Sequence, residues 1–235
     1  RRLHRTNRKV LIMFKSMIYK EWLKTGTAIM CLVMMMAGFT AYDFLALAKN
    51  ASLHGYDFLW SYAVGKYSIL VDNLIYLPVI CGLALAAAQF IPETFRKCLK
   101  LTLHLPMPQF RTVSVMQGYG IGVLLVLFIV QAASLGIFLG HYLVADIVWR
   151  ILFSLITWYC AGLCAYIWAG AIMLEPAWRM RIFETVLMLA LLSTFFLSSQ
   201  MMGYSRGILP LATVTTLAAF PLIHYSVRRF KDGVQ

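Results

Sequence analysis

The feature that most restricts this chain is the length of its apolar runs. A helix needs about 20 consecutive apolar residues to cross the hydrocarbon core of a bilayer. Runs of that kind occur at about 26–47, 69–90, 112–139, 148–174, 182–199 and 208–226. Strands of a membrane barrel would be about half as long and would alternate apolar with polar residues. The expected fold is therefore all-α, a polytopic membrane protein with six transmembrane helices in a single transmembrane domain over 1–235. Composition agrees: 61% of residues are hydrophobic, 13% are charged, and the mean hydropathy is +0.77. The first run ends at Ala46-Leu47-Ala48, a small-x-small pattern that resembles a cleavage site. It is longer than the apolar core of a signal peptide, about 7–15 residues, so a retained span is expected.

The net charge of +12 would suit a nucleic-acid partner on a soluble surface, but the charge is segregated. With a cytoplasmic N-terminus, every Lys and Arg except Lys49, Lys66, Arg150 and Arg206 falls in 1–25, 91–111, 175–181 or 227–235, all on one side. An excess of basic residues beside the cytoplasmic ends of spans is the positive-inside rule. The expectation is a cell (inner) membrane protein, both termini cytoplasmic, in contact with membrane lipids and with no nucleic-acid partner.

Residues 8–24 place Val10, Leu11, Phe14, Met17, Ile18 and Trp22 on one side of a helix, with Lys9, Ser16, Lys20 and Lys24 largely opposite. This pattern predicts an interfacial helix with its basic face toward the headgroups.

The longest polar break in the middle of the chain is 91–111, IPETFRKCLKLTLHLPMPQFR. Pro92-Glu93 reads as a helix start, because proline fits the first turn and a carboxylate faces the positive end of the helix dipole. Arg96, Lys97 and Lys100 then alternate with Phe95, Cys98, Leu99 and Thr102 at helical spacing, and Pro106 and Pro108 end the segment. A short helix with an apolar stripe and a basic rim suits docking to another protein. A solvated basic loop is the plainer alternative.

Other motifs read as packing. Gly118 and Gly122 form a GxxxG, and Ala161, Ala165 and Ala169 a second small-residue stripe, both expected to admit a close neighbouring helix. Gln131, an amide in the middle of its span, is expected to bond a neighbouring helix. Asp43, Asp72, Asp146 and Arg150 lie near the outer ends of spans, where solvation is the expectation. Cys31, Cys81, Cys98, Cys160 and Cys164 show no zinc-type spacing, so no metal is expected. No Walker motif is present, so the chain is not expected to hydrolyse ATP or to hold a cofactor. Gly203-Tyr204-Ser205-Arg206-Gly207 matches the GxSxG of serine hydrolases. The elbow needs a strand-to-helix turn, and Ser205 and His224 would sit at opposite ends of a span, about 28 Å apart.

Taken together, the sequence resembles the permease subunits of ABC-2-type ABC transporters. An amphipathic segment precedes span one, six spans have both ends inside, and an acidic residue after span two leads into a leucine-rich helix and a proline. Here these are Glu93, the basic helix, and Leu101-Thr102-Leu103-His104-Leu105-Pro106. The resemblance implies a coupling helix at 92–105, with Glu93, Phe95, Arg96, Lys97, Leu99, Lys100 and Leu103 meeting a cytoplasmic ABC ATPase subunit. It also implies that ATP and Mg are bound by that partner and that a second permease subunit, identical or related, completes the transporter. A membrane scaffold or anchor using the same helix for docking is the alternative, and an intramembrane serine hydrolase a more distant one.

Overall fold

The computed structural model describes residues 2–55, 72–95, 109–197, 214, 221, 223–227 and 229. Among them the fold is all-helical, without strands. The helices are α1 (Arg2–His54), α2 (Leu77–Phe95), α3 (Gln109–Tyr142), α4 (Ala145–Leu174) and α5 (Trp178–Thr194). A 3-10 turn at Asp72–Leu74 precedes α2, and residues 223–227 are helical. Among the described residues, four helices are long and apolar enough to cross a membrane: Phe14–Leu53, Leu77–Thr94, Phe110–Tyr142 and Ala145–Leu174. The run expected at 182–199 is represented by α5, which has 17 residues. Most of the run expected at 208–226 lies outside the described residues.

Two boundaries depart from the sequence reading. Residues 8–24 and 26–47 were expected as separate helices, yet α1 runs through both without a break. Nothing in 20–28 stops a helix: Thr25 turns its hydroxyl onto Glu21 O at 2.8 Å, and Gly26 alone costs too little to end one. Helix α1 also continues past 47 to His54 and stops at Gly55. There the backbone takes φ +78, the left-handed cap conformation glycine adopts without strain, and Gly55 N donates to Ala51 O at 3.0 Å.

The second departure concerns Pro92. It does not open a helix; it lies inside α2. The helix-start proline is Pro78, the second residue of α2, where the missing N–H costs nothing. Inside the helix Pro92 leaves one hydrogen bond to the preceding turn unmade, and the backbone stays helical through it to Phe95.

Helix α4 occupies the centre. In an apolar 18-residue stretch of its candidate span 67% of the residues are buried, against 22% in the corresponding stretches of α1 and α3. Its closest partner is α2. A Cβ on Gly82 would overlap Gly162 O, and one on Gly162 would overlap the Pro78 carbonyl. Two backbones therefore touch with no side chain between them. Ala161, Ala165 and Ala169 are buried beside them, as their stripe predicts. The GxxxG expectation is corrected. Gly118 and Gly122 face open space, while Gly120 between them is the tight one. On a helix, residues two apart point to nearly opposite sides, so the motif's glycines and the packed glycine cannot share a face.

Helices α1 and α3 pack alongside this pair, with Phe44 stacked on Phe138 at 3.9 Å between centroids. Their outer faces are apolar: Met34 and Ile137 are 76% and 80% exposed. Met36, one residue-pair further round α1, is buried.

Candidate functional site

Charged residues of α1 meet α2 in the most polar part of the interior. The face of α1 that turns inward carries Glu21, Lys24 and Thr25, while Tyr19, Trp22 and Leu23 point outward. This corrects the expected sidedness of 8–24, in which Lys20 and Lys24 faced headgroups. Periodicity shows that a helix has two faces, but not which one meets protein.

Lys24 Nζ lies 2.8 Å from Glu21 Oε2 and 3.0 Å from Glu93 Oε1. Lys20 Nζ reaches the same Glu93 oxygen at 3.0 Å. Both carboxylates are 1% exposed, whereas Lys20 keeps 44% of its side chain exposed. Two lysines and two glutamates leave the cluster formally neutral. One turn before Glu93 on α2, Gln89 donates from Nε2 to Glu21 Oε2 at 3.0 Å and to Met116 O of α3 at 2.8 Å. Its carbonyl accepts from Tyr166 OH of α4 at 2.6 Å. Thr25 Oγ1 and Tyr119 OH of α3 lie 3.0 Å apart. Four helices thus converge on one buried amide and two buried carboxylates. Gly120 makes room for this: a Cβ there would overlap the Tyr166 hydroxyl and crowd Gln89 Oε1.

Buried charge is tolerated only when paired and hydrogen-bonded, and an isolated carboxylate in a low-dielectric interior costs several kcal/mol. Here pairing runs between helices, so it fixes their relative position as well as their charge. The arrangement holds helices together.

A second ionic group lies at the same end of the bundle. Glu175, fully buried just after α4, pairs with Arg229 at 3.0 Å, and its backbone carbonyl accepts from Arg181 Nη2 at 2.7 Å. Thr94 Oγ1, on the last turn of α2, lies 3.1 Å from both Phe90 O and Met173 O of α4.

Towards the opposite end lie further polar contacts among the described residues. Asp43 is 2% exposed and accepts from Asn73 Nδ2 at 2.8 Å, so the solvation expected for it does not hold. Asp146 and Arg150 form an exposed pair one turn apart on α4, as a solvated pair should. Gln131 bonds neighbouring helices: it donates to Thr40 Oγ1 of α1 at 3.2 Å and accepts from Tyr159 OH of α4 at 3.4 Å.

Of the residues expected to meet a partner, Glu93 is buried and ion-paired within the chain. Phe95 is the last residue of α2, its side chain outside the described set. Arg96, Lys97, Leu99, Lys100 and Leu103 lie outside the described residues, as do Ser205 and the side chain of Asp72. His224 sits 3.4 Å from Ser114 Oγ and packs against Phe110. Among the described residues no three His, Cys, Asp or Glu side chains converge as a metal would require. The sequence reading missed Glu21, Gln89, Tyr119 and Tyr166. The usable signal was spacing, since Gln89 and Glu93 are four apart and share a face of one helix.

Comparison with protein-family models, with curated proteins and with solved structures finds no match.

Proposed function

We propose that the chain is the membrane-spanning permease subunit of an ABC-2-type transporter, working as an exporter. In this reading six spans cross the cell membrane with both termini in the cytoplasm. The segment 92–105 carries the coupling helix: Glu93 is engaged within the chain, and the residues from Phe95 onward are seated on a cytoplasmic ABC ATPase, which binds ATP and Mg. A second permease subunit completes the pathway. The observation that most supports the reading is the basic, half-apolar break at 91–111, placed directly after an apolar helix and opening on an acidic residue. The clustering of Lys and Arg at that side of the sequence supports a cytoplasmic position for it.

The test is affinity capture of the full chain from solubilised membranes, followed by identification of bound proteins and an ATPase assay. A co-purifying P-loop ATPase is expected. The double variant Phe95→Asp, Leu99→Asp is expected to lose it, because charge on an apolar docking stripe is desolvated without a partner. ATPase binding that persists in this variant overturns the docking role. Specific capture of proteins other than an ATPase favours the scaffold.

A further inference from the structure

We propose that Lys20 and Lys24 are positioning residues: by holding Glu93 they fix the bearing of the Pro92–Phe95 turn of α2, and so present the residues that follow to the cytoplasmic partner. The inference rests on the docking role given above to 92–105.

The turn of α2 that holds Pro92 is inherently weak. Pro92 cannot donate the hydrogen bond that would tie it to the preceding turn, and a proline at this point kinks or frays a helix. Yet α2 continues to Phe95. Side chains supply what the backbone lacks. Glu93 is held by two lysines of α1, each at 3.0 Å, and Thr94 reaches a backbone carbonyl of α4.

A contact at one point would leave the end of α2 free to swivel. There are two. Gln89 and Glu93, on successive turns of α2, are both bonded to the Lys20–Lys24 stretch of α1. Glu21 orients Lys24 from within α1 and is itself tied to Gln89. Burial keeps these bonds from being screened by salt as a surface pair would be. This turn of α2 therefore has its bearing set by α1, with Glu93 three positions before Arg96, the first basic residue of the segment.

The experiment uses the full chain in liposomes, with a nitroxide on native Cys98 and the other four cysteines replaced by alanine. Glu93→Gln and Lys24→Met are expected to increase nitroxide mobility; Lys24→Arg is expected to leave it unchanged. The double variant should be no more mobile than the worse single, since the two side chains act as one contact. Circular dichroism verifies that each variant is folded. Lys20→Ala removes a half-exposed lysine and gives a smaller change in the same direction, so it decides the matter where the buried variants fail to fold. Capture of the ATPase by Glu93→Gln should fall about tenfold, the size of a modest coupling between neighbouring groups. Unchanged nitroxide spectra overturn the proposal, and so does raised mobility with undiminished capture. A wild-type chain that captures no ATPase sinks the docking role instead, and the nitroxide spectra still decide whether α1 sets the end of α2.

Discussion

Helix α2 is held from two sides in two different ways. Against α4 it lies backbone on backbone at Gly82 and Gly162, with small residues around the crossing. Against α1 it is held by long charged and amide side chains: Lys20, Lys24 and Glu21 on one helix, Gln89 and Glu93 on the other. Lipid tails are as apolar as the helices, so burying apolar surface does little to drive helices together in a bilayer. What remains is close van der Waals contact and polar bonds. The two sides of α2 rely on one each. A glycine crossing is short-range and fixes the distance between axes. A set of long side chains fixes which turn meets which, and tolerates small changes in distance.

The comparison can be broken most severely at the crossing. Gly162→Ala pushes a methyl into the Pro78 carbonyl, a backbone atom that cannot swing aside. Loss of about 3 kcal/mol is expected, at the upper end of overpacking costs, read from thermal unfolding in detergent. A wild-type melting curve would show that α2 and α4 can separate without penalty. Gly120→Ala comes next. Its methyl meets the tips of Tyr166 and Gln89, side chains that can yield, so about 2 kcal/mol is expected. Gly118→Ala and Gly122→Ala, facing open space, should change the same melting curve by less than about 0.5 kcal/mol. Equal losses at all three positions would contradict the placement of Gly120 alone against α4. A loss only slightly above that limit is expected at Gln131→Leu. It removes interhelical bonds to Thr40 and Tyr159 worth about 0.6 kcal/mol, the average for such bonds in membrane proteins.

Much of the architecture was legible in the sequence. The ranges 112–139 and 148–174 fall inside α3 and α4, because long uninterrupted apolar runs have one structural answer. The alanine stripe and the interhelical role of Gln131 were legible for the same reason: small or polar residues in such a run are informative against a uniform background. What failed were statements about direction. The two faces of α1 were visible, but lipid and protein are both apolar surroundings, so Trp22 outside and Thr25 inside could not be ranked by hydrophobicity. The motif at Gly118 and Gly122 records a smooth helix surface without saying whether anything lies on it. Pro92 was read by its local rule, and that rule is outweighed by Glu93, whose partners lie about 70 residues earlier, on α1. The buried cluster itself needed long-range pairing that a single sequence does not display.

One dimension of α1 has a consequence for the membrane around it. The helix around its apolar run, Phe14–Leu53, holds 40 residues. At 1.5 Å per residue this is about 60 Å of rod, roughly twice the thickness of the hydrocarbon core. Even a tilt of about 40°, the upper end of what membrane helices show, leaves a vertical reach of about 46 Å. That is the full depth of the bilayer with both headgroup layers. In a membrane, α1 must therefore lean steeply or stand proud of the surface, since its apolar run at about 26–47 is little more than half of the rod.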